Sequence, residues 1–458
     1  MVMDELTENA RMTALTLVLE GIRAADPYKA VLSSLKGGNG VIVVGNHRIE
    51  YKGSVYVVGA GKATGGMAKA AEEVLGDAIA GGVISVPEEL AGSVSHELKK
   101  IEVVGATHPR ASEKSVEAGK RIVEVARRAS EGDVVLALIS GGGSALMEYP
   151  AEGVGIDDIG SISIELMKAG ADIFELNTVR KHLSKIKGGW LAKHAYPAHV
   201  VALMISDVVG DRMDTIASGP TVPDPTTFAD AKKILEKRGL WASSPEAVRS
   251  YIERGVRGEA PETPKPGDPV FERVFNKIVA SNIISLRSMA EKAAGLGYRT
   301  IILTSMLEGE AREVGKVAAS IAREAIRSGL PAQPPLVVLA GGETTVTVRG
   351  NGVGGRNQEL ALSAAIKIKG LKGVAIASVG SDGRDGPTDA AGAVVDGYTC
   401  AKAEEKGLDP LSFLENNDSY TFFSKVGGHV KTGYTGTNVN DFLIIVVEGE
   451  AGNKNREK

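Results

Sequence analysis

One pattern, repeated along the chain, constrains the fold more than any other feature: a short β-branched run, a glycine-rich turn, then a helical stretch. Val55-Tyr56-Val57-Val58 runs into Gly59-Ala60-Gly61-Lys62 and an alanine-rich helix that reaches about Leu75. Val134 to Ile139 leads into Ser140-Gly141-Gly142-Gly143-Ser144, and Val200 to Ile205 leads into Ser206-Asp207. These runs are continuously apolar rather than alternating, so both faces of each strand must be covered. That is the signature of a parallel α/β sheet with helices on its faces. Glycine supplies 57 of 458 residues, well above the usual ~7%. It follows no triplet period, so the excess belongs to turns and close-approach loops.

The length suits two or three domains. The first 25 or so residues read as an amphipathic helix, with Ala10, Leu15, Val18, Leu19 and Ile22 at helical spacing. Pro27 ends it. Residues 255–269 carry four prolines from Pro261 to Pro269 and read as a linker. Beyond them the pattern restarts at Thr300 to Thr304, Leu336 to Leu339, Val374 to Val379 and Phe442 to Val447. The sequence thus predicts an N-terminal α/β domain over 1–254, a linker over 255–269, a smaller C-terminal α/β domain over 270–450 and a frayed tail over 451–458.

Composition excludes several classes of function. A net charge of −4 and 4% aromatic residues argue against nucleic acid as a partner, which needs a basic footprint or stacking platforms. The single cysteine, Cys400, precludes an intrachain disulfide and a multi-cysteine metal site. No apolar run approaches a membrane span, and Met1 to Arg11 lacks a signal pattern. The expectation is a cytoplasmic protein with no membrane partner, and a homodimer on base rates. With seven histidines and no zinc-binding His-Glu helix motif, zinc hydrolysis is not expected. His108 and His182 read as structural.

In parallel α/β sheets, functional loops follow the carboxyl ends of the strands. Gly59-Ala60-Gly61-Lys62 departs from both G-x-G-x-x-G and the Walker loop, yet it puts a lysine at a strand-to-helix turn that attracts anions. Ser140, Gly141, Gly142, Gly143 and Ser144 can turn backbone N–H groups toward an oxyanion or phosphate. Asp207 and Asp211 follow another strand. Glu343 follows Gly341-Gly342, and Arg356-Asn357 follows a stretch of four glycines; a guanidinium there suits a phosphoryl group. Asp382, Asp385 and Asp389 are hard oxygen ligands suited to Mg²⁺. Thr437 and Asn438 lie in a polar loop before the last strand. This inventory of cations, carboxylates, hydroxyls and amides fits phosphoryl transfer, in which catalysis is mostly positioning and charge neutralisation. Two sets of loops on either side of the Pro-rich stretch predict an active site in an interdomain cleft.

Six ordered motifs resemble those of the glycerate 2-kinase family with a C-terminal MOFRL domain: Gly59–Ala63, Ser140–Leu146, Glu175–Ser184, Ser206–Asp211, Gly354–Glu359 and Gly380–Asp389. The resemblance spans about residues 10 to 448. It departs at Tyr434, where the family pattern has proline. The resemblance implies a Rossmann-like N-terminal domain, a smaller MOFRL domain, and transfer of the γ-phosphoryl of ATP to the 2-hydroxyl of D-glycerate with Mg²⁺. Lys62 and Arg356 become the leading catalytic charges. Asp207 becomes the hydroxyl base or a Mg²⁺ ligand, beside Asp382, Asp385 and Asp389 for the metal. Gly59, Gly61, the Ser140–Ser144 loop, Asn177, Arg180, Glu343, Asn357, Thr437 and Asn438 would bind nucleotide or substrate. The rival readings are hydroxypyruvate reduction by NAD(P)H, which wants a dinucleotide fingerprint and an acidic ribose ligand, and a non-catalytic nucleotide- or sugar-acid-binding protein.

Overall fold

The computed structural model describes residues 3–38 and 40–449; the tail 451–458 lies outside the described residues. The chain divides into two compact units. One is Pro27–Val279, and the other joins the residues up to Asp26 to those from Ala280 onward. The division therefore falls after Asp26 and after Val279 rather than at the Pro-rich stretch 255–269, and the leading helix belongs with the later unit.

The unit Pro27–Val279 starts with a small antiparallel sheet of β1 (Leu35–Gly38), β2 (Val41–Val44) and β3 (His47–Glu50). Its main sheet contains β4 (Val55–Ala60), β5 (Ile79–Pro87), β6 (Ile101–Ala106), β7 (Val134–Ile139), β8 (His199–Ile205) and β9 (Val274–Ala280). Their order is β6-β5-β4-β7-β8-β9, and the pairs from β6 through β8 are parallel. Every residue of β7 is buried, as its unbroken apolar run requires of a central parallel strand. Helix Glu113–Arg128 packs on this sheet through Ile122, Val123 and Ala126. Ser112 caps its start and Arg127 and Arg128 stand in its last turn, each favourable at its pole. The strand order is the doubly wound one. The chain leaves β4 toward β5 and β6, then returns to β7 on the other side of β4. Ligands in such sheets bind beyond the carboxyl ends at this reversal. The pairing of Ala60 with Ile139 brings the two loops there side by side.

Residues 255–269 are part of this unit because their polar groups are buried in it. Thr263 donates to Asp224 at 3.0 Å, Asp224 N–H donates to the Pro264 carbonyl at 2.9 Å, and Glu262 lies 2.8 Å from His182 Nε2. His182, Asp224 and Thr263 are all buried.

The other unit is built on β10 (Arg299–Leu307), β11 (Leu336–Gly342), β12 (Val374–Gly380), β13 (Gly392–Asp396), β14 (His429–Val430) and β15 (Asp441–Val447), in the order β10-β11-β15-β12-β13-β14. The sheet is mixed. The last strand, β15, runs antiparallel between β11 and β12, so Asp441 pairs with both Gly342 and Gly380. Strand direction is invisible to apolar periodicity, so this inversion was not readable from the sequence. Helices Ala311–Ser328 and Arg356–Ile368 share a core with the sheet. Helix Glu5–Ala24 packs on β12, β15 and helix Asn282–Gly295. No described helix is long and apolar enough to cross a membrane.

Candidate active site

The reversal between β4 and β7 is tightly built. Lys62 N–H donates to the Gly141 carbonyl at 2.9 Å, and Ala63 N–H donates to Ser140 Oγ at 3.1 Å. Gly61 has φ +144°, and a Cβ there would lie 2.0 Å from Ser140 Oγ; only glycine fits. Gly59 is the last residue but one of β4, and Gly143 opens the short helix Gly143–Leu146. The Asp207 carboxylate from the end of β8 lies against Gly141, with an oxygen 2.1 Å from where a Cβ would stand. A Cβ on Gly142 would lie 3.1 Å from the His108 ring and 3.4 Å from Lys62 Cγ. Lys62, His108, Asp207 and the Ser140–Ser144 loop thus converge from four strand ends.

Helix Ile173–His182 adds Asn177 and Arg180. Arg180 Nη2 approaches the Ser144 carbonyl at 3.5 Å, and its buried Nε has no hydrogen-bond partner. Burial pulls the Arg180 pKa down, with the Glu148 charge opposing. Among the described residues neither Lys62 nor Arg180 has an ion-pair partner within 4 Å. Two half-buried cations without a carboxylate beside a glycine loop form a receptive anion site. Ser144 Oγ lies 2.7 Å from Ser218 Oγ, which donates to Asn177 Oδ1 at 3.0 Å.

In the other unit, Arg356 opens helix Arg356–Ile368. Its Nε and Nη2 grip Asp441 at 2.5 and 3.1 Å, and its Nη1 donates to Glu343 at 2.7 Å. Burial alone would lower its pKa, but Asp441, Glu343 and Asp385 outweigh this and raise it. The guanidinium is a fixed cation. Asp382 is half-buried and bonds the Arg384 N–H at 3.0 Å. The Asp382 and Asp441 carboxylates both border Gly380, 3.3 and 3.4 Å from where its Cβ would stand.

The three aspartates expected to hold a metal are not gathered together. Asp385 is buried and accepts from the backbone N–H and side-chain amides of Asn357 and Gln358, at 2.9 to 3.3 Å, anchoring the start of the helix. Asp389 is exposed and bonded to Tyr420 and Lys431. Among the described residues no group of three or more His, Cys, Asp or Glu side chains is arranged around a metal position. Asn357 is buried, with its carbonyl oxygen accepting from Ser378 at 2.6 Å and its amide donating to Asp385, so its polar atoms are engaged inside the unit. Thr437 is buried with its hydroxyl unpartnered. Asn438 accepts from Asn440 N–H at 3.0 Å within the same loop.

Sequence reasoning missed two residues of the β4–β7 site. His108, set aside as structural, stands just past the end of β6, and burial followed by repulsion from Lys62 lowers its pKa. Its position two residues beyond a strand end was the available signal. Ser218 lies in the stretch Ile216–Pro225 that follows the Asp207–Asp211 loop, which the sequence marks as rigid and extended without giving the serine a role. His182 is structural, as expected, locked between Thr178 and Glu262.

Comparisons with known proteins agree with this architecture. A family model described as a domain of unknown function, DUF4147, matches residues 13–253, and the MOFRL family model matches residues 336–441. The chain is 48% identical to a glycerate 2-kinase of Pyrococcus horikoshii over 96% of this chain and 98% of that protein. It is 42% identical to a D-glycerate 2-kinase of Thermotoga maritima, over 96% and 99%. A 42% identical protein of Agrobacterium vitis carries the name of a hydroxypyruvate reductase, over 89% of this chain and 90% of that protein. The crystal structure of glycerate kinase from Thermotoga maritima superposes with a TM-score of 0.87 at 42% identity, covering 96% of this chain and all of that one. With strand order, loop chemistry and near full-length identity in agreement, this chain belongs to the glycerate 2-kinase family that carries a MOFRL domain.

Proposed function

We propose that this protein is a glycerate 2-kinase, transferring the γ-phosphoryl of ATP to the 2-hydroxyl of D-glycerate and releasing 2-phosphoglycerate and ADP. The observation that carries the reading is the pair of half-buried cations without carboxylate partners, Lys62 and Arg180, flanking the Ser140–Ser144 loop at the strand reversal. Phosphoryl transfer asks a protein chiefly for such charge and alignment.

Lys62 binds oxygens of the transferring phosphoryl group. Backbone N–H groups of the Ser140–Ser144 loop and the Gly59–Gly61 turn bind phosphate. Arg180 takes the glycerate carboxylate, with Asn177 helping to orient the substrate. Asp207 accepts the proton of the attacking hydroxyl. Arg356, steadied by Asp441 and Glu343, supplies a second stabilising cation, and Asn357, Thr437 and Asn438 shape the loops around it. Mg²⁺ would screen the charge of the nucleotide phosphates. It needs only one or two protein carboxylates beside phosphate oxygens, and of Asp382, Asp385 and Asp389, Asp382 fits best because the other two are engaged elsewhere. Reduction of hydroxypyruvate is disfavoured by the first loop, which has Lys62 within it and Thr64 where a dinucleotide fingerprint has its third glycine. The reading places the enzyme in the cytoplasm.

The test is a coupled assay of D-glycerate with ATP beside one of hydroxypyruvate with NADH, followed by identification of the phosphoglycerate isomer. Lys62→Ala and Arg356→Ala are each expected to lower kcat by at least ~10²-fold, as for loss of a charge-stabilising donor. Near-normal turnover in both variants, or hydride transfer in place of phosphorylation, defeats the proposal.

A further inference from the structure

The hydroxyl pair Ser144–Ser218 has a fixed polarity. Asn177 Oδ1 can only accept, so the Ser218 proton is committed to it across 3.0 Å. The 2.7 Å contact between the two serine oxygens must then be made with the proton of Ser144. Ser144 Oγ consequently faces its remaining surroundings with lone pairs alone. A carboxylate or phosphate oxygen would meet it acceptor to acceptor, whereas a ligand O–H would be bound.

The backbone supports this device at a cost. Ala217, Ser218 and Gly219 hold φ of +49°, +60° and +62° in succession. Two non-glycine residues in the left-handed region are strained and persist where surrounding structure over-determines them. Here the Gly188 and Gly189 N–H groups grip the carbonyls of Ser218 and Gly219 at 2.9 and 2.8 Å. The result is a buried serine held against Ser144 and Asn177 in a conformation that its side chain does not favour.

We infer that Ser144 Oγ is an obligate hydrogen-bond acceptor that selects the 3-hydroxyl of glycerate, and that Ser218 and Asn177 are the positioning residues that enforce it. The assignment rests on the kinase reading above. In a 2,3-dihydroxy acid, the carboxylate goes to Arg180 and the 2-oxygen attacks phosphorus. The hydroxyl left to donate is the one on carbon 3, and Ser144 is bonded through its own carbonyl to Arg180.

The experiment compares kcat/KM for D-glycerate and D-lactate, which differ only in the 3-hydroxyl. The unmodified protein is expected to favour glycerate by at least ~10²-fold, since a site built to bond a hydroxyl rejects an analogue lacking it. Ser144→Ala should cut that preference at least ~10-fold, mainly by raising KM for glycerate, and Ser218→Ala should shift it in the same direction. Asn177→Asp presents an acceptor in either orientation and should keep the preference within ~3-fold, while Asn177→Leu should lose it. Titration calorimetry of the two acids gives the same comparison without turnover. An unchanged preference in both serine variants overturns the inference while leaving the kinase reading intact. A lost preference in Asn177→Asp also overturns it, because it means that Asn177 donates to Ser218. Absence of any glycerate phosphorylation by the unmodified protein defeats the kinase reading and this inference with it.

Discussion

Lys187 has no exposed surface, yet it carries an ammonium group. Its Nζ donates to Glu148 and to the Met147 carbonyl, and Glu148 also accepts from Ser184 Oγ and Tyr149 N–H. Burial pulls the lysine pKa down to about 8, with the Glu148 charge opposing. The pair ties the segment that follows helix Gly143–Leu146 to the turn at Ser184–Lys187, so it sits behind the loop that we assign to phosphate. Removing one member of a buried pair leaves an uncompensated charge, which costs about 3–5 kcal/mol. Lys187→Met should therefore lower unfolding free energy by about that much in urea titration, and Glu148→Gln/Lys187→Met should recover more than half. A single variant within ~1 kcal/mol of the parent would mean that the pair is not a desolvated unit. This pair also shows where sequence reading stops at the residue scale. Lys62 was legible because the strand, the glycines and the lysine are contiguous. The partnership of Glu148 with Lys187 spans 39 positions and has no local signature. The partners of Asp385, expected as a metal ligand, were hidden for the same reason, since the N–H groups it accepts from come from 27 and 28 residues earlier.

Strands were legible where an apolar run stood between clear turn signals, whether buried or not: β10 was announced although none of its residues is fully buried, and β5 was missed although its last six are. Strands β4, β7, β8, β11, β12 and β15 are nearly or wholly buried, and their apolar runs announced them. β1 and β3 are largely exposed and carry no such run, β2 (Val41-Ile42-Val43-Val44) carries one too short to stand out, and glycine or charge interrupts β5 and β6. The Pro-rich stretch 255–269 failed differently. Its composition reports the lack of helix or strand, but not that its polar groups have buried partners. Glu262 is the key to this strap. Burial alone would raise its pKa, but the hydrogen bond and charge of His182, the Phe228 N–H and Lys265 hold it down at about 2. A depressed carboxylate stabilises the fold above its unfolded value, roughly 4.3, and that stabilisation drains away as the pH falls toward 2. Urea unfolding at a series of pH values should therefore steepen in acid between those limits, and Glu262→Gln should flatten that limb while lowering stability at neutral pH. Identical acid limbs in parent and variant would show that the strap is not held by this carboxylate. The partly exposed position of Glu262 keeps the expected effect modest, because solvent screens part of the interaction.

The largest departure from sequence order concerns which ends of the chain form a unit. Helix Glu5–Ala24 was predicted from its periodicity, and its start is capped by Asp4, which accepts from Thr7 N–H. Nothing local says what its apolar face covers. Ala10, Ala14, Leu17 and Val18 are essentially inaccessible to solvent, against β12, β15 and helix Asn282–Gly295. Gly21 lets helix Asn282–Gly295 come close, since a Cβ there would lie 1.9 Å from Met289 Cε. Polar ties fix the register. Thr7 Oγ1 accepts from Gly373 N–H at 2.8 Å, Arg11 pairs with the buried Asp396 at 2.7 Å, and Ser285 Oγ donates to the Gly21 carbonyl at 2.9 Å. Burying a leucine or valine is worth about 1.5–3 kcal/mol each, so this face together with the Arg11–Asp396 pair rivals the ~5–15 kcal/mol that holds a whole domain. Deleting residues 1–24 should thus unfold or loosen the unit that starts at Ala280, although some 255 residues of chain intervene. Amide hydrogen exchange reads this directly: protection should fall by orders of magnitude in β12 and β15, the strands under the helix, while β4 and β7 keep theirs. Equal protection in all four strands after the deletion would show that the helix is an accessory of the later unit rather than part of its core.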